Sequence, residues 1–180
     1  AGKAVHLVRH TTPRVAPGTC YGRTDLPLVD SFEIEASQVL AALPNVTQIV
    51  TSPLQRCRQL AEYVGQARGL KIDIDARLQE MDFGAWEGEP WNAIPRHELD
   101  AWAADFLHAR PHGGETVAGL RARVLQAIEP LHIGEAMTLC VTHAGVIRAA
   151  LATGNTADDF NTRIDFGGMI HLPPQQGPTS

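Results

Sequence analysis

The sequence predicts an α/β fold of three layers, with a mostly parallel central sheet between helices. Two observations support this prediction. Apolar runs of strand length alternate with helix-like segments along the chain, a pattern typical of parallel sheets with helices on both faces. The apolar runs are continuous rather than alternating, which suits strands that are covered on both sides. With 180 residues, of which 44% are hydrophobic, the chain is long enough for one well-buried domain.

The strands and helices are predicted from short apolar runs and from helical spacing. The expected strands are 4–9, 46–51, 71–74 and 137–142. The expected helices are 31–43, 53–68, 115–129 and 144–152. Ser31 is expected to cap the first helix. The second helix has an apolar face at spacings near a helical turn, formed by Leu54, Leu60, Ala61 and Val64.

Residues 82–114 interrupt the alternation of strands and helices. They contain three tryptophans and three prolines: Trp86, Trp91, Trp102, Pro90, Pro95 and Pro111. We interpret this segment as a partly helical, lid-like insertion over the rim of the sheet. The whole chain, 1–180, is then a single domain, and its end, about 173–180 (PPQQGPTS), is predicted to be disordered.

The composition narrows the functional classes. A net charge of −5 disfavours nucleic acid and anionic membranes as partners. No apolar run reaches the roughly 18–20 residues that are needed to span a bilayer. No signal peptide is visible. The cysteines are odd in number, widely spaced and without a C-x-x-C pair, which favours a reducing compartment. We therefore expect a cytoplasmic protein with a small-molecule partner, and its oligomeric state is not predicted.

Reactive residue types follow three of the predicted strands. The first strand ends in Arg9 and His10, the last leads into His143, and the second leads into a helix whose first turn holds Arg56. Ligands of open α/β sheets bind outside the carboxyl ends of the strands. We therefore expect these four side chains to gather at one rim of the sheet.

This set of residues suits a phosphoryl group. Arginine donates paired hydrogen bonds and is always charged, and a helix that begins near Ala144 would direct free backbone N–H groups at the same anion. Taken alone, Arg56 is as compatible with a surface ion pair as with a ligand, and His6 is assigned to the core. A zinc site is disfavoured because no H-E-x-x-H motif and no Cys/His cluster supplies further ligands.

Five segments together resemble the histidine phosphatase superfamily, also called the phosphoglycerate mutase-like fold. They appear in the order typical of that family and cover about residues 5–152. The segments are LVRH at 7–10, TSPLQRCRQLAE at 51–62, LQEMDFGAWEG at 78–88, GGETV at 113–117 and VTHAGVIRAAL at 141–151. The resemblance predicts a phosphoglycerate mutase-like α/β/α fold.

The resemblance also implies a mechanism without metal or organic cofactor, that of a histidine acid phosphatase-type phosphomonoesterase. His10 would attack phosphorus and become a phosphohistidine. Glu80 would protonate the leaving alkoxide and then activate water, although without the resemblance an exposed loop carboxylate is the simpler interpretation. The groups expected to hold the phosphoryl oxygens are Arg9, Arg56 and His143, together with Ala144 of the helix N-terminus.

Thr11 stands where the family's commonest form has glycine. If that position required a positive φ, a β-branched residue would be strained by roughly 1–3 kcal/mol. However, RHTTP, GTCYGRTDLPL at 18–28 and the stretch from Glu87 to Thr116 resemble the α-ribazole phosphatase branch. Its members remove the 5′-phosphate from α-ribazole phosphate in cobalamin assembly. The side chains predicted to contact this substrate are Tyr21, Arg23, Trp86 and Trp91, and Trp102 is expected only to pack the insertion.

Three alternatives remain open. A broad sugar-phosphate phosphatase would use the same machinery. A phosphoglycerate mutase is disfavoured because mutases of this family are longer and carry an ERRYG-like segment with extra basic groups. A non-catalytic phospholigand-binding protein would keep the binding groups without turnover, and a phosphohistidine on His10 would argue against it.

Overall fold

A computed structural model describes residues 2–174 of the chain. Its centre is a five-stranded sheet with the order β3-β2-β4-β1-β5, in which all neighbours are parallel except β5, which is antiparallel to β1. The strands are β1 (Val5–Arg9), β2 (Gln48–Thr51), β3 (Ile72–Ile74), β4 (Thr138–Thr142) and β5 (Met169–Leu172). Residues 175–180, most of the tail predicted to be disordered, lie outside the described residues.

Helices cover both faces of this sheet. They are α1 (Phe32–Ala42), α2 (Gln55–Arg68), α3 (Arg96–Ala104), α4 (Val117–Ile128) and α5 (Ala144–Leu151). Side chains of α1 and α2 pack on one face, together with Val8 of β1. Side chains of α4 and α5 pack on the other face, together with Leu7 of β1. Successive strand residues point to opposite faces, so the predicted three-layer α/β fold is confirmed.

The two edge strands differ from expectation. The central strands β1 and β4 are buried on both faces, as predicted, but Ile74 of β3 is 55% exposed. β3 lies at one edge of the sheet, where a helix layer does not cover it fully. β5 was not predicted at all, because this short edge strand is only half buried and lacks the continuous apolar run of a covered strand.

Ser31 precedes α1 as predicted, but it does not cap the helix backbone. Its hydroxyl donates to the Glu35 carboxylate at 2.8 Å instead. Glu35 also accepts from the backbone N–H and the hydroxyl of Thr12. The serine therefore helps to tie the start of α1 to the loop that follows β1.

The segment 82–114 is partly helical, with short 3₁₀ turns at 84–86 and 91–93 before α3. Its aromatic side chains form a small core of their own around Trp86, Ile94 and Cys20. Backbone hydrogen bonds between Cys20 and Gly88, and between Cys20 and Glu89, join it to the loop after β1. Among the described residues, no helix is long and apolar enough to cross a membrane.

Candidate active site

Parallel pairing of β1 and β4 brings two histidines together. Arg9 and Thr142 are partners in the register, so the residues that follow them, His10 and His143, leave the sheet side by side. Their ring centroids are 5.4 Å apart. The His10 backbone N–H donates to the Thr142 carbonyl at 3.1 Å. Residues 133 positions apart in the sequence thus meet at the predicted rim.

His10 is held as a neutral ring with one free nitrogen. Its Nδ1 lies 2.7 Å from the carbonyl oxygen of Thr11; since a carbonyl only accepts, Nδ1 carries the proton and Nε2 keeps its lone pair. Burial, followed by the charge of Arg56, holds the pKa of His10 well below its usual value, and the Thr11 hydrogen bond only partly offsets this. A neutral imidazole with an available Nε2 is a competent nucleophile.

Thr11 adopts an ordinary backbone conformation. Within residues 2–174, only glycines have a positive φ. The conditional strain of a β-branched residue at this position therefore does not arise, and the carbonyl of Thr11 orients the ring of His10.

Arg56 is fully buried, which excludes the surface ion pair considered from the sequence. Its two terminal nitrogens donate to the carbonyls of Gly22 and Thr24 at 2.5 Å. The Nε–H of Arg56 and that of Arg9 are both buried and have no hydrogen-bond partner in the described part of the chain. Buried donors are nearly always satisfied, so these two groups are suited to an anion in the site.

Arg9 is fixed by a loop that the sequence analysis did not connect with the site. Its Nη1 donates to the Ile164 carbonyl at 2.7 Å, and its guanidinium carbon lies 4.0 Å from the centre of the Phe166 ring. The N–H of Gly167 donates to the carbonyls of Arg9 and His10. The residues before β5 therefore hold both members of the Arg-His pair in place.

His143 is completely buried beside β2. Its Nε2 lies 2.9 Å from the Ser52 hydroxyl, and Cys57 Sγ lies 3.4 Å from the same nitrogen. Burial first, and then the charge of Arg56, hold the pKa of His143 well below its usual value. This ring is therefore neutral as well, and it can act on a phosphoryl oxygen only as a hydrogen-bonding group.

The Glu80 carboxylate sits on the N-terminus of α5. One oxygen accepts from the Met81 N–H and the other from the Gly145 N–H, both at 2.9 Å. A Cβ on Gly145 would lie 2.2 Å from a Glu80 oxygen, so only glycine permits this approach. The free N–H groups at the start of α5 were expected to point at the anion, but the N–H of Gly145 donates to Glu80 instead. Ala144 lies on the wall of the adjoining cavity.

A cavity of about 690 Å³ opens next to part of this group, within the range of small-molecule sites. Arg56 and His143, which are both fully buried, do not line it. Arg9, His10 and Glu80 contribute its reactive side chains. A second set of lining residues is aromatic or aliphatic: Met81, Phe83, Trp91, Trp102, Phe106, Val117, Leu120, Phe160 and Phe166. The phosphoryl chemistry expected from the sequence therefore adjoins a largely apolar wall.

The structure divides the four residues predicted to contact the substrate. Tyr21 and Trp91 line the cavity, whereas Arg23 and Trp86 do not. Trp86 is only 3% exposed and packs inside the insertion, and Arg23 donates through Nε to the Glu80 carbonyl at 2.8 Å. Conversely Trp102, expected only to pack, lines the cavity. Spacing in a loop-rich segment does not reveal which ring faces inward.

Comparison with known proteins gives one family. The profile of the histidine phosphatase superfamily (branch 1) matches residues 5–165. The probable phosphoglycerate mutase GpmB of Klebsiella pneumoniae is 34% identical over 131 residues, which cover 69% of this chain and 60% of that protein. The chain thus spans less than two thirds of the length of this curated relative.

Two solved structures are similar over nearly the whole chain. The mycobacterial glucosyl-3-phosphoglycerate phosphatase superposes with a TM-score of 0.77 at 25% identity, covering 94% of this chain and 89% of that one. The α-ribazole phosphatase from Shigella flexneri gives 0.79 at 26% identity, covering 92% and 88%.

Proposed function

Because this chain belongs to the histidine phosphatase superfamily (branch 1), we propose that it hydrolyses a phosphomonoester through a phosphohistidine on His10. The substrate that the site supports best is α-ribazole-5′-phosphate. The observation that carries this proposal is the cavity, in which the free Nε2 of a neutral histidine adjoins an aromatic wall.

The reaction takes two displacements. In the first, the Nε2 lone pair of His10 attacks phosphorus, the bond from phosphorus to the ester oxygen breaks, and the leaving alkoxide takes a proton from Glu80. In the second, water attacks the phosphohistidine and gives its proton to Glu80, and the bond from phosphorus to nitrogen breaks. Proton transfer of this kind contributes about 10²–10⁴-fold. The guanidinium groups of Arg9 and Arg56 stabilise the charge on the transferring group.

The aromatic wall favours a substrate with a flat, apolar group. The rings of Trp91 and Trp102 are nearly parallel, at 4°, with centroids 6.4 Å apart, and Phe83 stands edge-on to both. A benzimidazole base gains from stacked or edge-on contacts with such rings, whereas a sugar hydroxyl would lose hydrogen bonds to water there. Similarity to the Shigella flexneri α-ribazole phosphatase supports the same substrate.

The first test compares phosphate release from α-ribazole-5′-phosphate, p-nitrophenyl phosphate and 3-phosphoglycerate, with His10→Ala as the blank. We expect a strong preference in kcat/KM for the ribazole ester. Comparable slow rates on all three would remove this substrate and favour the broad phosphatase. A rate no higher than that of the blank would favour the binding protein.

Replacing Trp91 tests the role of the wall. Stacking of a base on an aromatic side chain is worth about 1–3 kcal/mol, so Trp91→Ala should raise KM for α-ribazole-5′-phosphate by about 10-fold. A small aryl phosphate, which reaches less of the wall, serves as the internal control and should be affected far less. Equal increases for the two substrates would contradict the assignment.

A carboxylated phosphoester is the second candidate, because Arg148 also lines the cavity. Its Nε donates to the Thr162 carbonyl at 2.9 Å, which fixes the guanidinium while its other nitrogens can meet a carboxylate. The probable phosphoglycerate mutase GpmB and the mycobacterial glucosyl-3-phosphoglycerate phosphatase are both named for substrates of this class. Fast turnover of 3-phosphoglycerate that Arg148→Gln abolishes would favour it.

A further inference from the structure

Two arginines converge on the backbone of the proposed acid. The carbonyl oxygen of Glu80 accepts from Arg23 Nε at 2.8 Å and from Arg123 Nη2 at 3.1 Å. Arg23 comes from the loop after β1, and Arg123 comes from α4. Neither side chain lines the cavity, so neither can act on a substrate directly.

Arg123 is itself rigidly held. It forms a bidentate ion pair with Glu115 at 2.7 and 2.9 Å, and the two side chains are only 16% and 18% exposed. Its Nη1 also donates to the carbonyl of Gln79 at 2.7 Å. A bidentate, partly buried arginine pair has a fixed geometry, so one guanidinium fixes the backbone that leads into Glu80.

This backbone is where precision is needed. The Glu80 carboxylate must exchange a proton with two different oxygens, first the leaving alkoxide and then water. Among residues 2–174, its side chain is held only by the N–H groups of Met81 and Gly145. A misplacement of about 1 Å can cost about 10²-fold in rate.

We propose that Arg23 and Arg123, the latter clamped by Glu115, are positioning residues that set the proton transfer of Glu80. This inference rests on the proposed function, since it assumes that Glu80 is the acid. The two arginines act through the backbone that carries Glu80, at the carbonyls of Glu80 and Gln79, and neither of them lines the cavity.

The dependence of rate on the leaving group tests this inference. An acid matters most when the leaving oxygen is basic, so poor positioning should steepen the dependence of kcat/KM on the leaving group. For Arg123→Lys we expect about a 10-fold loss on an alkyl phosphate but less than about 2-fold on p-nitrophenyl phosphate, because lysine keeps the charge near Glu115 but lacks the fork. Arg23→Met should also steepen the dependence of kcat/KM on the leaving group across this set of substrates, which we call the leaving-group series.

Controls separate positioning from folding. Arg96, in an exposed pair with Asp100, provides the matched variant: Arg96→Met should leave the leaving-group series unchanged. Equal losses on both substrates for Arg123→Lys and Arg23→Met would indicate a merely structural role and overturn the inference. Glu80→Gln must steepen the leaving-group series as well. If it does not, the proposed acid fails together with this inference; if it does while the arginine variants do not, this inference alone fails.

Discussion

The reactivity of His10 depends on a backbone group rather than on a second side chain. The Thr11 carbonyl assigns the proton to Nδ1, and burial keeps the ring neutral. The carboxylate of Glu80 fits against the start of α5 because residue 145 is glycine. At the residue scale, the site therefore depends on a carbonyl at Thr11 and on the missing side chain of Gly145.

Gly145→Ala tests the second of these residues. The new Cβ would lie 2.2 Å from a Glu80 oxygen and would displace the carboxylate, so we expect kcat to fall by about 10²-fold. Alanine is favoured over glycine in a helix, so the melting temperature should hold or rise. Gly134→Ala, where the nearest atom to a new Cβ lies 4.0 Å away, is the control. Normal kcat in Gly145→Ala would contradict the placement of Glu80.

The residues that end strands were predictable, whereas those that support them were not. Arg9, His10 and His143 follow apolar runs, and topology places the ends of parallel strands together. Phe166 and Gly145 carry no such signal, because their roles depend on distances to Arg9 and Glu80 across the fold. For the same reason, spacing alone failed to separate Trp91 from Trp86.

At the scale of elements, one carboxylate joins the loop after β1 to the insertion. Glu87 accepts from the backbone N–H groups of Gly22, Arg23, Thr24 and Phe83 and from the Thr24 hydroxyl. Burial alone would raise the pKa of Glu87, but these hydrogen bonds outweigh it and lower the pKa. The same loop offers two carbonyls to Arg56, so Glu87 indirectly orients the arginine that is proposed to hold the phosphoryl group.

Glu87→Gln should therefore weaken both stability and phosphate binding. Hydrogen bonds to a charged group contribute about 1.5–3 kcal/mol, so we expect a clear drop in melting temperature and a weaker affinity for inorganic phosphate. Because the folded pKa is lowered, this stabilisation is present above the unfolded pKa and disappears as pH falls through the folded one. Exposed Glu89→Gln is the control. A variant that melts and binds phosphate like the wild type would refute this role.

At the scale of the whole molecule, the fold buries two neutral histidines, His10 and His143, at the rim of the sheet. The three-layer fold was predictable because continuous apolar strands require cover on both faces. The edge strand β3 was predicted at the right place but is less covered than expected, and the edge strand β5 was missed, because an edge strand lacks that signal. Burial of His10 and His143 at the rim then links stability to pH.

Protonation of these histidines should destabilise the fold in acid. The folded pKa values of His10 and His143 lie below the usual value of roughly 6.5. Below that pH the unfolded chain therefore binds more protons than the folded chain, and the free energy of unfolding falls. Each histidine contributes a slope of up to about 1.4 kcal/mol per pH unit. The free energy of unfolding, measured in urea between roughly pH 7.5 and 5.5, should fall less steeply with decreasing pH for His143→Gln than for the wild type. Identical slopes would contradict a neutral, buried His143.

The covalent intermediate tests the central claim most directly. The protein is mixed with p-nitrophenyl phosphate, quenched in alkali and digested, and the phosphorylated peptide is identified by mass spectrometry. Glu80→Gln, which should slow the attack of water, is used to accumulate the adduct. The account predicts a phosphoryl group on His10 that forms no more slowly than phosphate is released. Steady release of phosphate with no adduct, or an adduct on His143 instead, would contradict it.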